Sequence, residues 1–281
     1  MTITAGSART VFDGHESAPQ LPSPEIDIRV LGPLTATITG HSFVPTATKP
    51  RTVLALLLLN ANHVVSTSAL QRELWPSNPP RSALTTVQTY ILQIRKLLAT
   101  ALGGDEAAAR QVLVTTTRGY MFRMNAAERD LDVYHRYVAA GTEALHRRET
   151  ARASALLTSA LRLWTAEALV DVAAGPLVNA EMVRLQSSRT TVLEQRIEAD
   201  LGQGAHQRVL GELAALTAED AFNENLRALY IVALHRCGRR RDALAEYQQT
   251  RELLIDELGL EPGIQLRQAH KAILTGDPDL H

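Results

Sequence analysis

The chain has 281 residues, 45% of them hydrophobic, with a net charge of −1 and a single cysteine, Cys237. This length and apolar content suffice for two globular cores, and one cysteine excludes an internal disulfide or a multi-thiolate zinc site. The longest apolar run, Val53 to Leu59, is too short to span a bilayer, and the first residues lack the pattern of a signal peptide. We therefore expect a cytoplasmic protein that does not bind membranes.

The charged residues are distributed unevenly along the chain. Residues 26–125 contain ten Lys or Arg and four Asp or Glu, a net charge of +6, whereas residues 126–281 contain 18 basic and 23 acidic residues, a net charge of −5. A basic module joined to an acidic one suggests a polyanion as the partner of the first module. Residues 1–25 show no sustained apolar period, and we expect them to form a flexible leader.

Strand patterns enclose helical ones in residues 26–125. Alternating β-branched residues interrupted by Gly32-Pro33 and Gly40-His41 predict a small antiparallel sheet over 26–46. Three helices are predicted next, over 51–60, 68–74 and 82 to about 102. A final β-hairpin is predicted from two runs, 112–117 and 120–124. This order of elements is typical of a winged helix-turn-helix domain.

Beyond residue 130 helical periods dominate and strand patterns disappear. Seven helices are predicted, over 131–147, 150–164, 179–201, 206–217, 222–237, 240–258 and 263–274. The clearest pair runs from Asn225 to Gly238 and from Asp242 to Gln248, with small alanines that allow close packing and Tyr247 in the groove. Such pairs are typical of tetratricopeptide-like arrays. The predicted fold is therefore mainly α with a small β component, a winged helix over 26–125 followed by an all-α domain over 126–281.

The third helix of the winged-helix half has an apolar stripe and an opposite polar face. At about 100° per residue one side carries the residues that we expect to pack on the core, Leu84, Val87, Ile91, Ile94 and Leu98. Ser82 is the expected N-terminal cap. The other side and its flanks contain no acidic residue, and we predict DNA contacts there from Arg81, Thr85, Thr86, Gln88, Thr89, Gln93, Arg95 and Lys96.

The absence of acids indicates nucleic-acid binding because a solvent-facing helix normally mixes Glu with Lys, whereas a helix in the major groove must keep carboxylates away from phosphates. Threonine methyl groups can contact thymine methyls, glutamine can hydrogen-bond base edges, and the cations suit phosphate oxygens. In the hairpin, the turn at Arg118-Gly119 is expected to project Arg118 toward a neighbouring minor groove. The alternative is a Thr-rich helix face exposed only to water.

Several motifs together resemble the Streptomyces antibiotic regulatory protein family. They are Lys49-Pro50-Arg51, Glu73-Leu74-Trp75-Pro76, the segment from Pro79 to Tyr90, Ile94-Arg95-Lys96-Leu97, Thr117-Arg118-Gly119-Tyr120 and, near the C-terminus, the segment from Glu252 to Pro262. The resemblance covers residues 26–274 and implies an OmpR-type winged helix followed by a bacterial transcriptional activation domain. It also implies a recognition helix over Thr85 to Lys96 and a wing that includes Arg118, Gly119 and Tyr120, so Tyr120 joins the predicted contacts.

The resemblance further implies an activator of gene clusters for secondary metabolites such as antibiotics. Such proteins bind direct repeats near the −35 region as side-by-side protomers and contact RNA polymerase and its principal sigma factor. We accordingly expect a homodimer on double-stranded promoter DNA, associated with the nucleoid, with the turn over 60–66 as a candidate polymerase contact. We expect neither a receiver domain nor a nucleotide-binding loop, and activity is expected to follow expression level or an unidentified ligand.

Other chemistry is not indicated by the sequence. The nine histidines lack metal-ligand spacing and no nucleophile triad or carboxylate pair stands out, so we expect no metal, no cofactor and no enzymatic activity. Cys237 precedes a run of arginines, which leaves a redox-sensitive thiol as an alternative, but an incidental cysteine is the favoured interpretation. The alternative function is a helical-repeat scaffold or ligand sensor in which the basic module serves as a docking platform.

Overall fold

The computed structural model describes residues 26–124 and 129–275. These residues form six strands in two sheets and eleven helices, and their mainly α composition confirms the predicted fold class. The expected leader over 1–25 and the predicted domain boundary between 125 and 126 lie outside the described residues. Within the described part of the chain, no helix has the length and apolar character needed to cross a membrane.

The first sheet is antiparallel, with strands in sequence order: β1 Ile26–Arg29, β2 Thr35–Ile38 and β3 His41–Ser42. Side chains alternate between its two faces, so Ile28, Ala36 and Ile38 are buried while their neighbours are more exposed. This face covers the helix-turn-helix core. The sheet predicted over 26–46 is thereby confirmed.

Four helices and a second sheet complete the winged helix. They are α1 Thr48–Leu59, β4 Val65–Ser66, α2 Thr67–Leu74, α3 Ala83–Ala101, α4 Glu106–Val112, β5 Leu113–Thr115 and β6 Gly119–Phe122. The leucine-rich α1 is buried nearly all round, as its unbroken apolar run predicts. The second sheet has the order β4-β6-β5, so the wing hairpin is joined to the strand that leads into α2.

Two elements of this half, α4 and β4, were not predicted, and the helix cap predicted at Ser82 was wrong. Helix α4 has seven residues, too few to show an apolar period, and is capped by Asp105, whose side chain accepts a hydrogen bond from the Ala108 N–H. Strand β4 has only two residues and exists because β6 lies beside it. Ser82 precedes α3 but its side chain makes no capping hydrogen bond.

The second half consists of successive helices that pack on one another, as predicted. They are α5 Asp130–His146, α6 Thr150–Leu161, α7 Pro176–Gly202, α8 His206–Glu219, α9 Glu224–Arg236, α10 Arg240–Leu258 and α11 Ile264–Thr275. Tyr247 is buried between α10 and its neighbours and stacks on His270 with ring centroids 3.9 Å apart. The predicted bounds of these helices agree to within two residues, except that α6 ends three residues earlier and α7 begins three residues earlier than predicted.

Glu73 of α2 joins the two halves by capping α7. Glu73 is only 3% exposed, and its carboxylate accepts hydrogen bonds from the backbone N–H groups of Gly175, Leu177 and Val178 at 2.6, 2.7 and 3.3 Å. The first N–H groups of a helix lack partners within the helix and form the positive end of its dipole, so a carboxylate is stabilising there. A Cβ on Gly175 would overlap the Glu73 backbone and carboxylate, so this close approach requires glycine.

Further polar contacts and a continuous apolar core hold the halves together. The Asp130 carboxylate accepts hydrogen bonds from the Val30 and Leu31 N–H groups at 3.0 Å. Arg129 donates to the carbonyl oxygens of Leu58 and Leu59 at the end of α1. One buried cluster includes side chains from both halves, among them Ile28, Leu57, Ile91, Tyr134, Trp164, Leu169 and Leu185. The winged helix and the helical half therefore pack together through one continuous core.

Candidate DNA-binding surface

Helix α3 packs against α1, α2 and α4 through its apolar stripe. Val87, Ile91, Ile94 and Leu98 are buried, as predicted. Leu84 was predicted to belong to this stripe but is 49% exposed. Ala83, which is 4% exposed, is the buried residue at the start of the helix instead.

The opposite face of α3 is exposed along its length. Thr85, Gln88, Thr89, Gln93 and Lys96 are exposed and Thr86 is half-buried. No acidic residue occurs between Ala83 and Ala101, so no carboxylate on the helix would meet a phosphate group.

Two of the threonines use their hydroxyl hydrogens inside the helix. Thr86 Oγ1 donates to the Ser82 carbonyl oxygen at 2.9 Å, and Thr89 Oγ1 donates to the Thr85 carbonyl oxygen at 3.0 Å. A hydroxyl group has one hydrogen to donate. Each of these threonines therefore presents a methyl group and an acceptor oxygen to a ligand, which makes the exposed face more apolar than its sequence suggests.

Arg95 faces the wing. Its guanidinium donates to the Leu113 carbonyl oxygen at 3.0 and 2.7 Å and to Thr115 Oγ1 at 2.7 Å. Burial lowers the pKa of Arg95 from its ordinary value. Nε and Nη2 of Arg95 are thus engaged within the protein and fix strand β5 relative to α3. The phosphate contact predicted for Arg95 stays a prediction that would involve its remaining nitrogen, Nη1.

The wing turn is also fixed to α2. The Thr116 N–H donates to the Gly119 carbonyl oxygen at 2.9 Å and closes the turn, while the Arg118 carbonyl oxygen accepts from the Thr67 N–H at 3.1 Å. A Cβ on Gly119 would overlap the Val65 backbone, so glycine is required where β4 passes. The Arg118 side chain is exposed beyond this turn. The recognition helix and the wing consequently form one rigid surface.

Tyr120 does not lie on this surface. Its side chain is 8% exposed and belongs to the core cluster, on the strand that pairs with β4 and β5. Tyr120 and Phe122 share one face of β6 and pack in the core, whereas Met121 between them is more exposed. The burial of Tyr120 does not agree with the contact predicted for it.

Three of the predicted cations are exposed and unpaired. Arg81, Lys96 and Arg118 form no ion pair with any residue in 26–124 or 129–275.

Sequence reasoning missed a fourth exposed cation, Arg72, which lies one turn from Ser68 on the exposed side of α2 and is likewise unpaired within those ranges. In helix-turn-helix proteins the first helix of the motif crosses the DNA backbone. The i,i+4 spacing of Ser68 and Arg72 on α2 is the sequence pattern that could have predicted a phosphate contact there.

Two family models match the chain. The family described as "Transcriptional regulatory protein, C terminal" matches residues 41–122, and the family described as "Bacterial transcriptional activator domain" matches residues 129–274. The first match contains helices α1 to α4 and the wing, and the second contains all seven helices of the second half but for one residue of α11.

Curated proteins and a solved structure are similar over nearly the whole chain. Regulatory protein DnrI of Streptomyces peucetius is 44% identical over 91% of this chain and 94% of its own length, and transcriptional regulator RedD of Streptomyces coelicolor is 32% identical over 99% and 80%. Regulatory protein AfsR of Streptomyces coelicolor is 38% identical over 89% of this chain, which spans 24% of AfsR.

The structure of Mycobacterium tuberculosis EmbR in complex with a low-affinity phosphopeptide has a TM-score of 0.84 and 33% identity, covering 91% of this chain and 66% of EmbR. Fold, domain order and sequence thus agree over most of the molecule. The chain belongs to the Streptomyces antibiotic regulatory protein family, with an OmpR-type winged helix followed by a bacterial transcriptional activator domain.

Proposed function

We propose that this protein is a sequence-specific activator of a secondary-metabolite gene cluster that binds promoter DNA through α3 and the wing. The observation that carries the proposal is the rigid, acid-free surface described above, where Lys96 and Arg118 are exposed on elements fixed to one another by Arg95 and the Arg118 carbonyl. Unpaired cations on a rigid surface suit the phosphates, and the Thr and Gln side chains between them suit base edges.

Two protomers are proposed to bind direct repeats near the −35 region side by side, as a homodimer formed on DNA. Direct repeats place both protomers in the same orientation, so the contact between them joins two different surfaces of the protein. The protein is accordingly proposed to be cytoplasmic and associated with the nucleoid.

RNA polymerase holoenzyme, including its principal sigma factor, is the proposed protein partner. The turn between α1 and α2 supports this proposal because it borders a groove of about 370 Å³ formed by α1, the turn and α7. Val64 in this turn is 49% exposed, and Leu59 and Leu177 line the groove beside it. An apolar side chain of a partner would find a concave site there.

A footprinting experiment tests the DNA-binding proposal. Full-length protein is incubated with promoter fragments at about 50 mM and about 200 mM salt, where phosphate-dependent binding differs strongly. We expect protection of two direct repeats at the lower salt concentration and weaker protection at the higher one. Absence of protected repeats at low salt would overturn the proposal and favour the scaffold or sensor alternative. Unchanged DNA affinity of the Lys96→Ala/Arg118→Ala variant would overturn the assignment of these two residues as DNA contacts.

A further inference from the structure

Helix α3 exposes two leucines beside its polar face. Leu84 is 49% exposed and Leu92 is 53% exposed, although the buried side of the same helix is almost completely covered. A single exposed leucine is common on protein surfaces. Here two occur on the exposed, acid-free side of α3: Leu92 lies within the recognition segment Thr85 to Lys96, and Leu84 lies one residue before it.

The two leucines lie on one ridge of the helix with Gln88 between them. Leu84, Gln88 and Leu92 are successive i,i+4 positions, which are neighbours on a helix surface. Eight residues correspond to a separation of about 12 Å along the helix axis. At about 3.4 Å per base pair, the two side chains can reach base pairs no more than about four positions apart.

The chemistry of the major groove restricts what these leucines can contact. Base edges in the groove carry hydrogen-bonding groups, and the apolar group among them is the 5-methyl of thymine. Thr89, three residues before Leu92, donates its hydroxyl hydrogen within the helix, which leaves its methyl group on the same exposed surface. A leucine placed against a base edge without a methyl group would desolvate polar atoms without compensation.

We propose that Leu84 and Leu92 are specificity-determining residues that contact thymine 5-methyl groups, with Gln88 hydrogen-bonding a base between them. The operator of this protein then contains two thymines within about four base pairs in each repeat. This inference rests on the proposed function, since it requires α3 to lie in the major groove.

The experiment removes single methyl groups from the DNA. A preferred duplex is first selected from a random library with the full-length protein, and each thymine is then replaced in turn by deoxyuridine, which pairs identically but lacks the 5-methyl. We expect affinity to fall about three- to fourfold at two positions in each repeat, the effect of removing one methyl contact. The Leu84→Ala variant should be insensitive at one position and the Leu92→Ala variant at the other.

The control is Leu274→Ala, since Leu274 is 56% exposed at the end of α11, far along the chain from the winged helix. It should retain both deoxyuridine effects, and equal thermal denaturation midpoints will show that all three variants fold. The inference is overturned if wild type is insensitive to every replacement, or if the α3 variants keep both effects. Loss of transcription activation with both effects retained would assign the leucines to a protein partner instead, and failure to select any duplex would contradict the proposed function itself.

Discussion

The exposed cations of the proposed DNA-binding surface differ from the exposed arginines that form ion pairs elsewhere in the molecule, such as Arg110 with Glu106 in α4 and several arginines of the helical half. In the helical half, arginines pair with acids about one helical turn away, as in Arg147–Glu143, Arg152–Glu149, Arg184–Glu181 and Arg239–Asp242. In the winged helix, Arg81, Lys96 and Arg118 have no such partner among the described residues. The acids that the winged helix does contain include Glu73, whose carboxylate is buried as a helix cap.

We interpret the paired arginines as structural and the unpaired cations as the charges that bind DNA. Exposed ion pairs contribute at most about 1 kcal/mol to stability, so pairing mainly cancels the field around the helical half. Unpaired cations on a surface without carboxylates attract phosphate groups without competition from a neighbouring acid. The predictions below test this comparison by changing a charge of each kind and following stability and DNA affinity separately.

The largest effect is expected at Asp200, the most buried charge of the helical half. Its side chain is 1% exposed and accepts hydrogen bonds from Ser154, Arg196, Gln203 and Arg208. Asp200→Asn should lower the free energy of unfolding by about 3–5 kcal/mol, because it removes one of the two carboxylates that pair with the buried Arg196 and disrupts the buried network around it. Urea denaturation measures this effect, and Asp256→Asn, at an exposed and unpaired position within the described residues, serves as the control. Equal stability of the two variants would show that the buried network is not structural.

Asp200 also gives a pH dependence. Although burial opposes the shift, hydrogen bonds from Ser154 and Arg196 and the charges of Arg196 and Arg208 hold the pKa of Asp200 below its ordinary value. An acid with a lowered pKa stabilises the fold above its unfolded pKa of about 4, and this contribution is lost as pH falls through the folded pKa. The stability difference between wild type and Asp200→Asn should be constant from about pH 7 to about pH 5 and shrink below about pH 4. A difference that persists undiminished at lower pH would contradict the assignment.

The next largest effect is expected at the junction. Gly175→Ala should lower the free energy of unfolding by about 2 kcal/mol, because the added methyl displaces Glu73 from the N-terminus of α7. The matched variant is Gly211→Ala in the interior of α8, where the new methyl meets open space. It should raise stability by about 0.5–1 kcal/mol. If both substitutions shift the denaturation midpoint in the same direction, the close approach at Gly175 is not limiting.

The unpaired cations should affect DNA binding without affecting stability. Lys96→Ala and Arg118→Ala are each expected to weaken DNA binding about tenfold, or about 1.4 kcal/mol, by removing a charged contact to phosphate. Chemical denaturation of either variant should match wild type within about 0.5 kcal/mol, since neither side chain has an ion-pair partner in the described residues. Loss of stability equal to the loss of affinity would indicate a structural role.

The smallest effect is expected for an exposed ion pair of the helical half. Arg147→Ala removes a 2.7 Å contact with Glu143 in which both side chains are more than half exposed. Stability should change by only about 0.3–0.5 kcal/mol. DNA affinity should stay at the wild-type value, and a loss comparable to that of Lys96→Ala would remove the distinction between the two halves.

Periodicity predicted the long helices because each repeats its apolar positions several times, as in α3 and α10. It could not predict α4, which is seven residues long, or the exposure of Leu84, because a helical wheel does not show where the underlying core ends. The hydrogen bonds of Arg95 to β5 and the burial of Tyr120 between β4 and β5 could not be predicted either, because these strands come together only in the fold. The cap from Glu73 to α7 joins residues about a hundred positions apart and leaves no local signal.

The most direct test of the account is the salt dependence of DNA affinity in two double variants. Lys96→Ala/Arg118→Ala removes two unpaired cations, and Arg147→Ala/Arg152→Ala removes two paired ones of equal total charge. The slope of log affinity against log salt should fall in magnitude by about 2 for the first variant, because two phosphate contacts are lost, and stay at the wild-type value for the second. Equal slopes for all three proteins would contradict the claim that unpaired cations on α3 and the wing form the DNA-binding surface.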